Sequence, residues 1–170
     1  MPQSLKEIAD GSKCFLDATI FYYHLVNTPP MSDDCSDLLV RICRGVISGV
    51  TSTVALAEAT HKVMLAEIVR RHGLAPQGLI ARIKKHPELL DNLTEHRHIL
   101  PLALALNIMI EPITTSLLQR GAEISSKQYL LTNDSLTLAV MEQFGINYLA
   151  TNDDDFDRVG DIIVCKPIRT

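Results

Sequence analysis

The chain has 170 residues, of which 46% are hydrophobic and 21% charged, and its formal net charge is −4. This length suits one domain, and the composition excludes a disordered chain. No run of about 18 uncharged apolar residues occurs, so we expect no membrane span. The polar start shows no signal-peptide core. None of the four cysteines forms a CxxC pair, which indicates free thiols in a reducing cytoplasm.

The first half of the chain predicts two strands followed by a run of helices. "CFLDATIF" is a strand that ends at Asp17, and a β-branched run follows at Val46 to Val50. "VALAEATHKVMLAEIVRRHG" predicts a helix that stops at Gly73. The amphipathic "QGLIARIKK" ends at Pro87, and "LTEHRHILPLALALN" predicts a helix bent or restarted at Pro101.

The second half returns to alternating strands and helices. "IMIEPI" predicts a strand, "TTSLLQRGA" a short helix and "TNDSLTLAVMEQFG" a clear helix that ends at Gly145. "INYLA" and "DIIVC" predict two strands on either side of a turn. Roughly five strands and seven helices predict an α/β fold, a three-layer sandwich around a mostly parallel sheet. We expect a single domain over residues 1–170, with a helical insert at about residues 53–108.

Acidic side chains fall where strands end or where the adjoining helices begin. Asp17 closes the first predicted strand, and Asp153 lies just past "INYLA". Glu58 lies early in the helix after the second strand, and Asp134 starts the helix before "INYLA". Because ligands bind beyond the carboxyl ends of parallel strands, these carboxylates should meet at one edge of the sheet. Such an all-oxygen site suits Mg²⁺ or Mn²⁺, which indicates phosphodiester hydrolysis.

Each acid also has a purely structural interpretation. Asp17 and Asp134 could cap helices, and Glu58 could pair with Lys62 four residues later. The acidic run from Asp153 to Asp157 could be a solvated turn. These local roles do not explain why all four acids should lie at the same end of the sheet.

"FLDATIF", "TSTVALAEATHKV" and "TNDSLTLAVMEQFGINYLATNDDDF" resemble the PIN domain, the metal-dependent ribonuclease fold of VapC-type toxins and many RNA-processing proteins. The resemblance runs from about Lys13 to Ile168. It implies an endoribonuclease that uses Mg²⁺ or Mn²⁺. The implied catalytic and metal-binding acids are Asp17, Glu58, Asp134 and Asp153.

The resemblance also implies supporting residues around these acids. Asp155 would be an additional or outer metal ligand. Thr151 and Asn152 match the polar pair before the final acid, and Thr151 would orient a carboxylate or a water. Thr19 matches the small polar residue that commonly lies two places after the first acid.

Two features depart from the family pattern. Ala18 stands where Thr or Ser usually follows the first acid, and this leaves open a weak or inactive PIN-fold module that binds RNA or a protein. The middle of the chain is longer than in compact toxin-like members. The resemblance implies a homodimer and an inhibitory, antitoxin-like protein partner, and this longer segment counts against the toxin assignment.

The middle of the chain is basic, although the ends are acidic. The resemblance favours RNA as substrate, and the candidate phosphate contacts are Lys62, Arg70, Arg71, Lys84 and Lys85. The alternative is that such side chains simply decorate helix surfaces. The five histidines of this region are expected to be solvated or part of the core.

A response-regulator receiver is the main rival fold, because it also carries acids at strand ends, and "CKP" at Cys165 to Pro167 resembles its final Lys-Pro. A receiver needs an acidic pair after its first strand, but Ala18 follows Asp17 here. Nucleophilic catalysis by Ser or Cys has no support, because no GxSxG sequence is present and no Cys neighbours a His in the sequence.

Overall fold

The computed structural model describes residues 2–168, and six parallel strands form one sheet. The strands are β1 Gln3–Ser4, β2 Lys13–Leu16, β3 Ser48–Ser52, β4 Met109–Glu111, β5 Tyr148–Ala150 and β6 Ile163–Lys166. The helices are α1 Ala18–Val26, α2 Met31–Cys43, α3 Thr53–His72, α4 Leu79–Lys85, α5 Ile99–Ala105, α6 Thr115–Gln128 and α7 Thr132–Phe144. Short 3-10 helices cover Leu5–Glu7, Pro87–Leu90, Glu95–His98 and Asp154–Arg158. The predicted α/β fold is confirmed.

The strand order places a switch point in the middle of the sheet. The order is β1-β6-β5-β2-β3-β4, and every neighbouring pair is parallel. From β2 the chain builds outward through β3 and β4, and it then returns to the other side of β2 to add β5 and β6. Ligands of open α/β sheets bind at such a reversal, beyond the carboxyl ends of the strands. The crevice between β2 and β5 is therefore where a site is expected.

Alternate strand residues enter two separate cores, one on each face of the sheet. Cys14 and Leu16 of β2 pack with residues of α1 and α2, such as Phe21 and Leu38. Phe15, between them, packs on the opposite face, where α6 and α7 contribute side chains such as Ile124 and Met141. This alternation produces the three layers.

Two elements differ from the sequence-based expectation. The sheet has six strands instead of about five, because the two-residue β1 pairs with β6. Such a short strand leaves no periodicity to detect. Helix α6 runs on to Gln128, with Gly121 inside it. A Cβ on Gly121 would lie 2.8 Å from Cδ2 of Leu136, so glycine permits the close packing of α6 against α7.

Residues 53–108 contain α3, α4 and α5, and they carry a small core of their own. Ile68, Leu79 and Leu93 are buried together away from the two sheet cores. Helix α3 ends at Gly73, whose φ of 60° is a left-handed conformation that favours glycine. That this segment is an insert within one domain stays a prediction. None of the helices in residues 2–168 is long and apolar enough to cross a membrane.

Candidate active site

Asp17 lies at the carboxyl edge of the sheet, at the switch point between β2 and β5. Leu16 pairs with Ala150, so the residues that follow these two strands lie side by side. The backbone N–H of Asp17 donates to the carbonyl oxygen of Ala150 at 3.0 Å. The hydroxyl of Thr151 donates to Oδ2 of Asp17 at 2.8 Å. The sheet register thus fixes the first acid against the loop after β5.

Asp17 is also the N-cap residue of α1, as one structural interpretation predicted. Its Oδ2 accepts from the backbone N–H of Thr19 at 3.3 Å and from the Thr19 hydroxyl at 2.8 Å. The residue is only 9% exposed. Burial raises the pKa of Asp17, and the hydrogen bonds from Thr19 and Thr151 only partly offset this shift. The Asp17 side chain therefore caps α1 and also lies at the candidate site.

A hydrogen-bond network joins α1 to the loop that follows β5. Oγ1 of Thr19 accepts from the backbone N–H of Asn152 at 3.0 Å, and Nδ2 of Asn152 donates to the hydroxyl oxygen of Tyr23 at 2.7 Å. Oγ1 of Thr151 accepts from the backbone N–H of Asp153 at 3.0 Å. Tyr23 was not predicted, and its only sequence signal is its position one helical turn after Thr19.

Glu58 lies in the second turn of α3, which begins directly after β3. The side chain of Ser52 caps this helix by accepting from the backbone N–H of Ala55 at 3.1 Å. Oε1 of Glu58 lies 2.9 Å from Nζ of Lys62, and Oε2 accepts from Nδ2 of Asn133 at 2.8 Å. Burial alone would raise the pKa of Glu58, but these two partners outweigh it and lower the pKa. The i, i+4 pair with Lys62 is confirmed.

Asp134 lies in the first turn of α7, next to Asn133. Within residues 2–168, no side-chain or backbone donor hydrogen-bonds its carboxylate. Partial burial raises its pKa to about 6, and the charges of Asp153, Asp17, Asp155 and Glu58 add to the shift. The N-cap of α7 is Leu131, so the capping role suggested for Asp134 is wrong. A capping role therefore does not explain why Asp134 lies among like charges in the described part of the chain.

Asp153 follows β5 and caps the 3-10 helix at Asp154–Arg158. Its Oδ1 accepts from the backbone N–H of Asp155 at 2.9 Å. Asp154 and Asp157 form ion pairs with Lys166. Nζ of Lys166 lies 2.7 Å from Oδ1 of Asp154 and 2.6 Å from Oδ1 of Asp157. The run of four aspartates is therefore divided between the switch-point site and an ion pair with β6.

The carboxylate oxygens of these acids are suitable ligands for a hard divalent cation, but their side chains are not yet arranged around one point. Within the described residues, no three His, Cys, Asp or Glu side chains are positioned to hold one metal ion together. Asp17, Glu58, Asp153 and Asp155 nevertheless all lie close enough to Asp134 to raise its pKa. Carboxylate oxygens are the ligands that Mg²⁺ and Mn²⁺ prefer. A cation would offset the repulsion that these groups exert on one another.

Comparison with known proteins identifies the family. The family model described as PIN domain matches residues 14–162, a range that includes helices α1 to α7 and all five acids. The chain belongs to the PIN domain family. Its curated relatives include Ribonuclease VapC2 of Methanocaldococcus jannaschii, which is 27% identical over 150 residues, with 88% of this chain and 91% of the relative covered.

Two solved structures share the PIN domain fold. Mycobacterium tuberculosis VapC20, described as a sarcin-ricin loop cleaving toxin, matches with a TM-score of 0.62 and 16% identity over 89% of this chain and 98% of that one. VapBC2 from Rickettsia felis, bound to a DNA fragment from its promoter, matches with a TM-score of 0.56 and 15% identity over 91% of this chain and 98% of that one. At these identities the match concerns the fold.

The receiver alternative is wrong for this PIN domain. Without the short β1, the strands follow the order 3-2-1-4-5, counted from β2, whereas receivers follow the order 2-1-3-4-5. The "CKP" segment belongs instead to the end of β6, where Lys166 binds Asp154 and Asp157.

The predicted phosphate contacts lie in three different settings in the PIN domain. Lys62 lies beside Glu58, within the acidic site. Arg70 pairs with Glu95, and Arg71 donates to the carbonyl oxygen of Asn92 at 2.6 Å, so both arginines hold α3 to the segment after α4. Lys84 and Lys85 are exposed on α4.

Proposed function

We propose that this chain is a divalent-metal-dependent endoribonuclease whose catalytic carboxylates are Asp17, Glu58, Asp134 and Asp153. The observation that carries the proposal is the carboxylate of Asp134, which accepts no hydrogen bond from residues 2–168 and whose pKa is raised by partial burial and by the charges of four neighbouring acids. The name of the relative Ribonuclease VapC2 supports RNA as the substrate class. A cluster that is costly without a cation is expected at a site that uses one.

The same four acids would hold Mg²⁺ or Mn²⁺, with Asp155 as an additional or outer ligand. When bound, such an ion stabilises charge on a phosphate and lowers the pKa of a bound water. Partial burial and the neighbouring carboxylates raise the pKa of Asp134 to about 6, which still leaves the group ionised and able to act as a ligand at neutral pH. Protons should therefore compete with the cation for Asp134 as the pH falls, so more metal should be needed for activity at acidic pH.

Thr19, Thr151 and Asn152 act as positioning residues in this proposal. Thr19 and Thr151 donate to the same oxygen, Oδ2 of Asp17, and so fix the orientation of the carboxylate. Asn152 holds Thr19 through its backbone N–H and Tyr23 through its side chain. Such outer partners govern how well the direct ligands are aligned.

The RNA contacts are proposed to involve Lys62, Arg70, Arg71, Lys84 and Lys85. Lys84 and Lys85 are exposed on one short helix and have no carboxylate within ion-pair distance in residues 2–168. They are therefore the best placed of the five to bind phosphate. Phosphate contacts of this kind weaken steeply with salt.

The partners and the compartment also remain proposals. The resemblance to VapC-type proteins supports a homodimer and an inhibitory, antitoxin-like partner, and one matched structure is the VapBC2 assembly on DNA. All four cysteines are free, and Cys14, Cys35 and Cys165 are buried, which supports a reducing cytoplasm. Light scattering of the purified chain, alone and with a co-expressed partner, would test the assemblies.

Cleavage of labelled single-stranded RNA in the presence of Mn²⁺ tests the proposed activity. Asp17→Asn and Asp134→Asn should each abolish cleavage while the fold remains intact by circular dichroism. Asp37→Asn is the matched control, because it removes the same charge from an exposed position on α2. Cleavage that survives in EDTA or in Asp134→Asn would contradict the proposal.

The alternative function is a PIN-fold module that binds RNA or protein without cleaving. Ala18 favours it, because a hydroxyl is missing beside the first acid. Thr19, however, supplies a hydroxyl to Oδ2 of Asp17 at 2.8 Å, and this favours an active site. RNA binding without cleavage by the wild-type protein would decide for the module.

A further inference from the structure

The side chain of Lys62 reaches into the acidic site and does not simply decorate the outer face of α3. Its Nζ lies 2.9 Å from Oε1 of Glu58. Burial lowers the pKa of Lys62, but the bond to Glu58 and the charges of Glu58, Asp17 and Asp153 outweigh it and raise the pKa. One ammonium group therefore interacts with acids that come from three separate segments of the chain.

Glu58 is held at both of its oxygens. Lys62 binds Oε1 from one helical turn further along α3, and Asn133 binds Oε2 from the start of α7. The carboxylate is thereby fixed between α3 and the first turn of α7, the turn that also contains Asp134. Lys62 supplies half of this restraint and a positive charge as well.

We propose that Lys62 is the internal counter-ion of the acidic site, and that its charge lowers the affinity of the site for divalent cations. This inference rests on the proposed function, because it assigns the acids to cation binding. The ammonium group partly neutralises the mutual repulsion of the carboxylates. A divalent cation that enters the same region is repelled by that ammonium group. The protein therefore gains stability without metal and loses some affinity for metal.

This role differs from a phosphate contact in the sign of its effect. If Lys62 served only RNA, its removal would weaken RNA binding and leave cation binding unchanged. If it is the internal counter-ion, its removal strengthens cation binding in the absence of any RNA. A measurement with metal alone therefore separates the two roles.

The experiment is a Mn²⁺ titration of the purified chain without RNA, with free Mn²⁺ followed by electron paramagnetic resonance. Lys62→Met should bind Mn²⁺ on the order of tenfold more tightly, the size expected for charges at ion-pair range in a water-like dielectric. Lys62→Arg keeps the charge and should stay within about twofold of wild type. Lys13→Met is the matched control, since Lys13 is exposed at the opposite end of β2 from Asp17.

Lys62→Gln provides a second test, because it removes the charge but keeps a donor for Glu58. It should tighten Mn²⁺ binding as Lys62→Met does, and it serves if the methionine variant fails to fold. Equal Mn²⁺ affinity in wild type, Lys62→Gln and Lys13→Met would overturn the counter-ion role.

Asp134→Asn is titrated in parallel. If it binds Mn²⁺ as wild type does, the proposed metal site itself fails, and the inference fails with it. If Asp134→Asn loses binding while the Lys62 variants match wild type, only the counter-ion role is overturned.

Discussion

The hydroxyl of Thr151 donates to Oδ2 of Asp17 at 2.8 Å, and the two residues are 134 positions apart in the sequence. Both are buried, and each follows one of the two strands that flank the switch point. Thr151 also accepts from the backbone N–H of Asp153. One buried hydroxyl thus connects the first and the last acid of the site.

Replacing Thr151 with valine should damage the site without changing the shape of the core. Asp17 would lose a donor while it stays buried, so unfolding should require about 2 kcal/mol less free energy. Mn²⁺ affinity or cleavage rate should fall by about 10- to 100-fold, as is usual for partners of metal ligands. Urea unfolding and Mn²⁺-dependent RNA cleavage measure the two effects.

Thr60→Val is the control for this substitution. Its hydroxyl donates to the carbonyl oxygen of Leu56 within α3, so valine there removes a hydroxyl without touching an acid. Cleavage should be unchanged in Thr60→Val. A Thr151→Val variant with the cleavage rate of wild type would show that the bond to Asp17 has no part in the site.

The positions of the acids could be predicted from the sequence, because strand ends follow from local patterns. Asp17 and Asp153 each come directly or closely after an apolar run, and parallel pairing then places them at one edge. The contact between Asn133 and Glu58 could not be predicted, because these residues are 75 positions apart and meet only through the placement of α7 beside α3. The network around Asn152 depends in the same way on the approach of α1 to the loop after β5.

Helix α2 could not be predicted from the sequence alone either. Met31–Cys43 begins with a polar stretch that follows two prolines, and its apolar face appears only when Cys35, Leu38 and Ile42 are seen to pack against the sheet. The structural roles of Arg70 and Arg71 were likewise hidden. The buried Glu67, which lies 3.6 Å from Arg71, accepts a hydrogen bond from the backbone N–H of Thr94, a residue 27 positions further along the chain.

The stability of the metal-free protein should fall as pH rises through the titration of Asp134. Its folded-state pKa is raised to about 6 from an ordinary value of 3.8, so the folded state binds the proton more tightly than the unfolded state. Stability from this group is present below pH 3.8 and is lost as pH rises toward about 6. For a half-buried, partly screened carboxylate the loss should be about 1 kcal/mol.

Asp134→Asn should remove the part of the pH dependence that comes from Asp134, while Asp17, whose pKa burial also raises, keeps its own contribution. In EDTA at pH 7.5 (roughly one and a half units above the raised pKa), the variant should be about 1 kcal/mol more stable than wild type, whereas Asp37→Asn should not differ. Saturating Mn²⁺ should stabilise wild type and not Asp134→Asn. Urea unfolding curves at pH 5 and pH 7.5 measure these differences, and parallel curves for wild type and variant would contradict the prediction.

Glu67 should be important for stability and unimportant for metal binding. Its carboxylate is 1% exposed, and it accepts from the backbone N–H groups of Thr94 and Glu95 at 3.0–3.1 Å. Glu67→Ala should cost about 3 kcal/mol, because two backbone N–H groups lose a charged acceptor and a cavity forms where the buried side chain was. Thermal unfolding measures the loss, and Mn²⁺ affinity of the folded fraction should match wild type. A variant as stable as wild type would show that the segment after α4 does not depend on this anchor.

The basic side chains of the middle segment should separate into two groups when RNA binding and stability are measured together. Lys84 and Lys85 are exposed on α4, so the double variant Lys84→Ala, Lys85→Ala should keep its stability within about 0.5 kcal/mol. It should bind single-stranded RNA more weakly, and the slope of log affinity against log salt should fall by about 1.4, the value for two contacts.

Arg71→Ala should instead lower stability by about 1 kcal/mol, since its guanidinium holds the carbonyl oxygen of Asn92 and lies 3.6 Å from the buried Glu67. Filter binding in Ca²⁺, which is used here to limit cleavage, gives the affinities at 50, 100 and 200 mM salt. An unchanged salt slope in the lysine double variant would remove α4 from the RNA-binding surface, because exposed charges that contact phosphate must release counter-ions when they bind.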